Sequence, residues 1–418
     1  MKLGLLVIAT EILEGKIVDL NTRSLAHFLK KLHLELNEAH TVRDNEEDIK
    51  RGLSSLLKTC DFIITSGGLG PTLDDLTKNV LASFLNTPIT YSHEAHKVAE
   101  SNYERLERPY PGKEHAYSFL PEGVKALSNS TGFAPGLFAE YQGKFFLCAP
   151  GVPREFNSML TDHLLPWIEK NHKQVYFMEN VVFRTRRVPE EKIFGEVDSE
   201  LWKKLSNLGD VSSLPGIMGV DIGIKIKATD EKGLSQKRQA VIAIMENSPV
   251  KKHIWHQGEA RLEEVIVKLA NEKGITFGFA ESCTGGLCSH RITNISGSSK
   301  SFMGSVISYA EAVKTSELAV SAELIVSKGV VSLEVAEAMA IGLAQTLEID
   351  FAVSITGFAG PSGGSPELPV GSVCIGLHVR NKVTRSFKLR LFGDREQLKE
   401  RFAQAALMVL HESMEEFA

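Results

Sequence analysis

FGFAESCTGG, residues Phe277–Gly286, is the stretch on which the reading of the C-terminal half turns. An apolar run ends at Ala280, Glu281-Ser282-Cys283-Thr284 follow, and Gly285-Gly286 open a helix. A strand that turns sharply into a helix through small residues holds a hydroxyl at the mouth of a sheet. The same turn is expected to aim free backbone N–H groups at whatever sits beside it. Nucleophile elbows use this geometry, although their usual G-x-S-x-G spelling is absent. The rest of this half is therefore expected to supply partners for Ser282, with Cys283 turned away toward the core.

Outward from this stretch, helix signals fall at Leu262–Lys273, after a capping Ser332, and at Arg395–His411. Strand signals fall at Phe302–Tyr309, Asp350–Thr356, Val370–Val379 and Lys382–Leu391. Lys314 follows one of these strands by a short turn. Residues 253–418 thus read as an α/β domain, entered through a linker at His253–Gly258. Residues 173–252 have another character. Val181–Phe183 signals a strand, Glu190–Leu205 a helix and Leu234–Met245 a second helix. Val220–Lys227 (VDIGIKIK) alternates apolar with polar, as a half-exposed antiparallel strand does. This is a small α+β module without a catalytic cluster.

Residues 1–172 again alternate strands and helices. Gly4–Ala9 and Asp61–Thr65 read as buried strands, and Ser24–Leu34 and Asn45–Lys58 as helices. The second strand empties into Ser66-Gly67-Gly68-Leu69-Gly70-Pro71-Thr72, followed by Asp74-Asp75 and a helix. Ligands collect at the carboxyl ends of parallel strands, and a Gly-rich loop there can cradle a phosphate with its N–H groups. One carboxylate of the pair, together with substrate phosphates, is a usual Mg²⁺ arrangement. The alternative is an ordinary acidic helix start placed to suit the helix dipole, and a Gly-rich loop by itself does not outweigh it. Arg154, in a turn-rich loop after another apolar run, is a candidate for an anion.

The totals narrow the function class. The 418 residues imply two or three domains. A net charge of −5 with scattered Lys and Arg implies no general affinity for nucleic acid or an anionic membrane. No apolar run is long enough to span a bilayer. Five cysteines without metal spacing fit a reduced cytoplasm. Around Ser282 two readings stand. A hydroxyl attacks an amide poorly without a base, and Lys314 serves if burial lowers its pKa. Otherwise Ser282 caps a helix and Lys314 is a solvated lysine. Cys283 is a rival nucleophile or a small buried hydrophobe.

TEILEGKIVDLN (Thr10–Asn21), GGLGPTLDDLT (Gly67–Thr77), APG (Ala134–Gly136), PGVPREF (Pro150–Phe156), AESCTGG (Ala280–Gly286), TGFAGPSGG (Thr356–Gly364) and GDR (Gly393–Arg395) occur in this order. Together they resemble the CinA, competence/damage-inducible, family over nearly the whole chain. The resemblance implies a three-layer MoaB/MogA-like domain over 1–172, a KH-like module over 173–252 and an amidase domain over 253–418. It implies a cytoplasmic homodimer that acts on small molecules. The C-terminal domain would deamidate nicotinamide mononucleotide to nicotinate mononucleotide without a cofactor. The N-terminal domain would cleave ADP-ribose with a divalent metal, Mg or Co.

Carried over residue by residue, the amidase pattern makes Ser282 the nucleophile and Lys314 its base. Tyr309 and Thr356 lie around them, and Arg395 serves substrate or transition-state charge. Thr284, Gly285, Gly286, Gly357 and Gly360 would form the substrate's loops. In the N-terminal domain Gly67, Gly68, Gly70, Asp44 and Asp75 would hold the nucleotide, with Asp75 also on the metal. A non-catalytic nucleotide- or pterin-binding role in competence or damage response, or activity in one domain alone, are the rival readings. This chain departs from the family in three places. It has Ala9-Thr10-Glu11 for Gly-Thr-Glu, Leu368-Pro369 for Lys-Pro and Tyr309-Ala310-Glu311 for Tyr-Ser-Asn. If the backbone at position 9 needed φ > 0 or a close approach to the ligand, Ala9 would be costly.

Overall fold

The structure, a computed structural model, describes residues 1–72, 75–173, 175–217 and 219–418. Asp74, half of the acidic pair, lies outside the described residues. The chain forms two compact units, Met1–Glu179 with Ile226–Lys237, and Asn180–Lys225 with Arg238–Ala418.

The first unit is built on strands β1 (Leu3–Ile8), β2 (Leu36–Val42) and β3 (Phe62–Ser66). The pair β4 (Ile89–Tyr91) and β5 (Phe119–Pro121) stands apart, and β6 (Lys125–Leu127), β7 (Gly136–Tyr141) and β8 (Lys144–Ala149) complete the main sheet. Its order is β2-β1-β3-β8-β7-β6. The first four strands run parallel, and β7 and β6 are antiparallel. LGLLVI in β1 is buried at every position, as a strand covered on both faces requires. Alternate residues feed two cores. Leu6, Ile8 and Ile63 pack with Ile49, Leu53 and Leu56 of the helix Glu46–Thr59. Leu5, Val7 and Ile64 pack with Leu25 and Leu29 of the helix Asn21–Lys31. These are the three layers of an α/β domain, helices on both faces of the sheet. At the end of β3, Gly67 has φ +109°, and a Cβ there would lie 2.4 Å from the Ile8 carbonyl oxygen. Only glycine lets the loop turn that close to β1.

Strands β9 (Phe177–Thr185), β10 (Asp210–Pro215), β11 (Val220–Ala228) and β12 (Ile254–Gln257) form a sheet in the order β10-β11-β9-β12. Two expectations are corrected here. The linker at His253–Gly258 is a short edge strand, antiparallel to β9, with Ile254 opposite Thr185. The single helix over Glu190–Leu205 is broken. A turn at Glu190–Lys192 runs through Ile193–Val197, and a new helix covers Leu201–Ser206. The break falls at Asp198, whose carboxylate accepts the Ser248 hydroxyl at 2.8 Å and pairs with Lys204. A tertiary anchor thus outweighs continued helix.

The C-terminal sheet has strands β13 (Phe277–Glu281), β14 (Phe302–Ile307), β15 (Phe351–Gly357), β16 (Ser372–Val379) and β17 (Val383–Arg390) in the order β14-β13-β15-β16-β17. The first three are parallel and the last two antiparallel. The helices Leu262–Lys273 and Arg395–Phe417 contribute to the core on one face, and Leu333–Leu347 covers the other. β13 and β15 are the interior parallel strands, so their carboxyl ends open at one edge of the sheet.

Candidate functional site

Five residues at the end of β13 form the turn that holds Ser282. The Ser282 amide donates to the Ile355 carbonyl of β15 at 2.9 Å, and the Gly285 amide returns to the Ser282 carbonyl at 3.1 Å. Gly285 and Gly286 have φ +62° and +96°, which a side chain would resist. The expected free helix amides are not free. The buried Glu281 carboxylate accepts the amides of Gly286 at 2.9 Å, Cys288 at 3.1 Å and Ser289 at 3.0 Å, and the Ser289 hydroxyl at 2.7 Å. Glu281 therefore closes the start of the helix Leu287–Thr293 from below. The Cys283 and Thr284 amides are not among these donors.

Lys314 does not follow β14 by a turn alone. It sits within the helix Glu311–Leu318, which points it back under Ser282. It is 0% exposed, and its Nζ donates to Ser282 Oγ at 3.1 Å and to the Ser308 carbonyl at 2.5 Å. Burial lowers its pKa, against a smaller opposing influence from the neighbouring Cys283 and Glu311. Cys283 belongs to the hydrophobic core, and burial pushes its thiol up to about 12.

The other expected residues are distributed around this pair. Arg395 donates to the Tyr309 hydroxyl at 3.0 Å and to the Gly360 carbonyl at 2.5 Å. Tyr309 is exposed. Thr356 is buried, and its hydroxyl proton goes to the Val330 carbonyl at 2.9 Å. Thr284 is fully buried behind the turn. Gly357 ends β15 one residue after Thr356.

In the first unit, a cavity of about 480 Å³ is lined by Gly67, Gly68, Gly70 and Asp75. It is completed by Asn21, Ser66, Tyr117, Phe133 and Glu155. Asn21 donates to Ser66 Oγ at 2.7 Å and to the Gly151 carbonyl at 2.8 Å. A smaller cavity of about 230 Å³ shares Gly68, Gly70 and Asp75 and adds Lys78. Lys78 donates to the Ala116 carbonyl at 2.7 Å, and burial lowers its pKa against the pull of Asp75. Asp44 is not among the residues that line either cavity. Its carboxylate accepts the Thr10 amide at 2.6 Å, and its own amide donates to Thr10 Oγ1. Arg154, the anion candidate, donates to the Thr131 carbonyl at 2.6 Å.

Two family models match the chain. Residues 259–414 match "CinA C-terminal domain", and residues 4–170 match "Probable molybdopterin binding domain". A relative from Halothermothrix orenii is 34% identical over 409 residues, which cover 97% of this chain and 96% of its own. The chain belongs to the CinA family. A CinA-like protein of Kosmotoga olearia is 33% identical over 412 residues, 97% of each chain. Among solved structures, the competence/damage inducible protein CihA of Agrobacterium tumefaciens is 32% identical. It covers 38% of this chain and 97% of its own, at a TM-score of 0.36.

The departures of this CinA-family chain acquire a physical meaning. Ala9 has φ −164°, extended backbone that any residue adopts, so the missing glycine strains no backbone, while the Ala9 side chain borders the cavity beside the Gly67–Gly70 loop. Ala310 is the N-cap of the helix that carries Lys314 and offers no side-chain cap. Glu311 begins that helix and acts on Lys314 through its charge. Sequence reasoning gave no role to Glu281, Asn21, Lys78 or Glu155. For Glu281 a signal existed. A carboxylate between an apolar strand and a helix start is well placed to take the first amides.

Proposed function

We propose that the C-terminal part of this CinA-family protein is a nicotinamide-nucleotide amidase that works through Ser282 and Lys314. The observation that carries this reading is the 3.1 Å hydrogen bond from a fully buried lysine to the serine hydroxyl. A lysine whose pKa is lowered by burial can be neutral when it is needed as a base. Neutral Lys314 takes the Ser282 proton as Oγ attacks the carboxamide carbon. The tetrahedral oxyanion meets the Cys283 amide, the N–H that follows the nucleophile in an elbow. Lys314 then returns the proton to the leaving nitrogen, ammonia departs, and the nicotinoyl ester of Ser282 remains. Water, deprotonated by the same lysine, cleaves that ester and releases nicotinate mononucleotide. Purified full-length protein is expected to release ammonia from nicotinamide mononucleotide, and Ser282→Ala none. Ammonia-free wild type, or an active Ser282→Ala, overturns the reading.

A second activity, metal-dependent cleavage of ADP-ribose, is proposed for the first unit on the cavity beside the Gly67–Gly70 loop. The donors there fit a metal held largely by substrate phosphates. Among the described residues, no group of three or more His, Cys, Asp or Glu gathers, and Asp75 is the carboxylate at the loop. Asp75 would hold the divalent metal, which would neutralise charge developing between the two phosphates. The loop amides would orient the pyrophosphate, and Asn21, fixed on Ser66, borders the same space. Production of AMP and ribose 5-phosphate from ADP-ribose, lost in Asp75→Asn, tests it. The same cavity with no turnover would favour a binding role.

A further inference from the structure

Lys399 lies on the helix Arg395–Phe417, one turn after Arg395. The helix start is fixed by a capping box on Asp394 and Gln397, and Leu398 and Phe402 are buried on its inner face. The neighbouring Lys399 is half-exposed. Its ammonium lies 3.9 Å from where a Cβ on Gly285 would stand. Gly285 closes the turn that carries Ser282, so this cation sits at the nucleophile's own loop. Among the described residues, no carboxylate and no hydrogen-bond acceptor pairs with Lys399. Its neighbour Glu400 is turned to Arg291 at 3.7 Å. Among the described residues, Arg395 is bonded only to a neutral hydroxyl and a carbonyl.

Two like charges at i and i+4 repel each other on a helix. Here both face the active-site rim without an anion to balance them. Glu281 already takes the Gly286, Cys288 and Ser289 amides at the helix start, so these three offer no alternative site for a phosphate. We propose that Lys399 recognises the 5′-phosphate of the substrate and makes this amidase selective for a mononucleotide over the corresponding nucleoside. Arg395 flanks the same phosphate, and Gly285 leaves room for it to reach the ammonium. The inference rests on the amidase reading for its chemistry but not for its test.

The test compares nicotinamide mononucleotide with nicotinamide riboside, which lacks the phosphate, on full-length wild type, Lys399→Ala and Lys399→Arg. Loss of a hydrogen-bonded charge pair is worth about 10- to 100-fold in affinity. Lys399→Ala is expected to raise KM for the mononucleotide by that factor with kcat within about twofold. Its kcat/KM for the riboside should stay unchanged, and Lys399→Arg should retain most of the preference. Equal losses on both substrates, or none on either, overturn the proposal. Calorimetric binding of the two compounds to the same three proteins decides the point even if wild type releases no ammonia. In that case the amidase reading fails by itself. Lys399 stands or falls on whether Lys399→Ala weakens the phosphorylated ligand alone.

Discussion

Lys314 must be neutral to accept the Ser282 proton, and this fixes the sign of a pH profile. Below its pKa the ammonium cannot act as a base, so turnover rises with pH as Lys314 deprotonates. Burial lowers that pKa from the ordinary lysine value of 10.5, so the rising limb of kcat/KM should fall below that pH. Glu311, three residues earlier on the same helix, favours the charged form. Glu311→Gln should therefore move the rising limb to lower pH in an ammonia-release assay. A shift to higher pH would show that another group governs the limb. Cys283 sits one residue from the nucleophile, but its thiol is in the core and held protonated by burial, up to about 12. Cys283→Ala should keep turnover within about twofold and cost roughly 1 kcal/mol of stability for the small void. Hydroxylamine trapping followed by mass spectrometry should find the acyl group on Ser282. An adduct on Cys283 would replace the serine mechanism with a thiol one.

At the level of elements, the strand–turn–helix around Ser282 is held by one carboxylate. Glu281→Gln replaces an acceptor that serves three amides and a hydroxyl with a side chain that presents N–H groups to some of them. Leaving buried donors unpaired costs about 1–3 kcal/mol each, so a loss of roughly 3–5 kcal/mol is expected in urea unfolding of the C-terminal transition. A change below about 1 kcal/mol would mean that the turn holds without Glu281. β13, β15 and the Gly67–Gly70 loop were legible because uninterrupted apolar runs end in small residues. The Ser282 position followed from the same pattern. The helix Glu311–Leu318 was not legible, because its N-cap is an alanine and its charged and polar residues carry a weak apolar stripe. β12 was missed because four residues of mixed polarity form a strand only through pairing with β9. The contact that fixes Asp44 was hidden for a similar reason. Its partner Thr10 is 34 residues away, and no local pattern records that contact.

Across the whole molecule, the two proposed sites share no residue. Ser282 draws on β13, β15 and the helix Glu311–Leu318, whereas Asp75 belongs to the loop after β3. Groups without shared partners act additively in most proteins. Asp75→Asn should therefore abolish ADP-ribose cleavage and leave ammonia release within about twofold. Ser282→Ala should do the reverse. A chelator should separate the activities in the same way. The serine route moves its proton through Lys314 and needs no divalent ion, whereas pyrophosphate cleavage needs its charge neutralised. Assaying both activities in one preparation, before and after chelation and then after adding back Mg²⁺ or Co²⁺, makes the comparison internal. Ammonia release that disappears with chelation and returns with metal would overturn the Ser282–Lys314 scheme. Parallel loss of both activities in Asp75→Asn, with an unchanged circular dichroism spectrum, would instead show that the two units do not work independently.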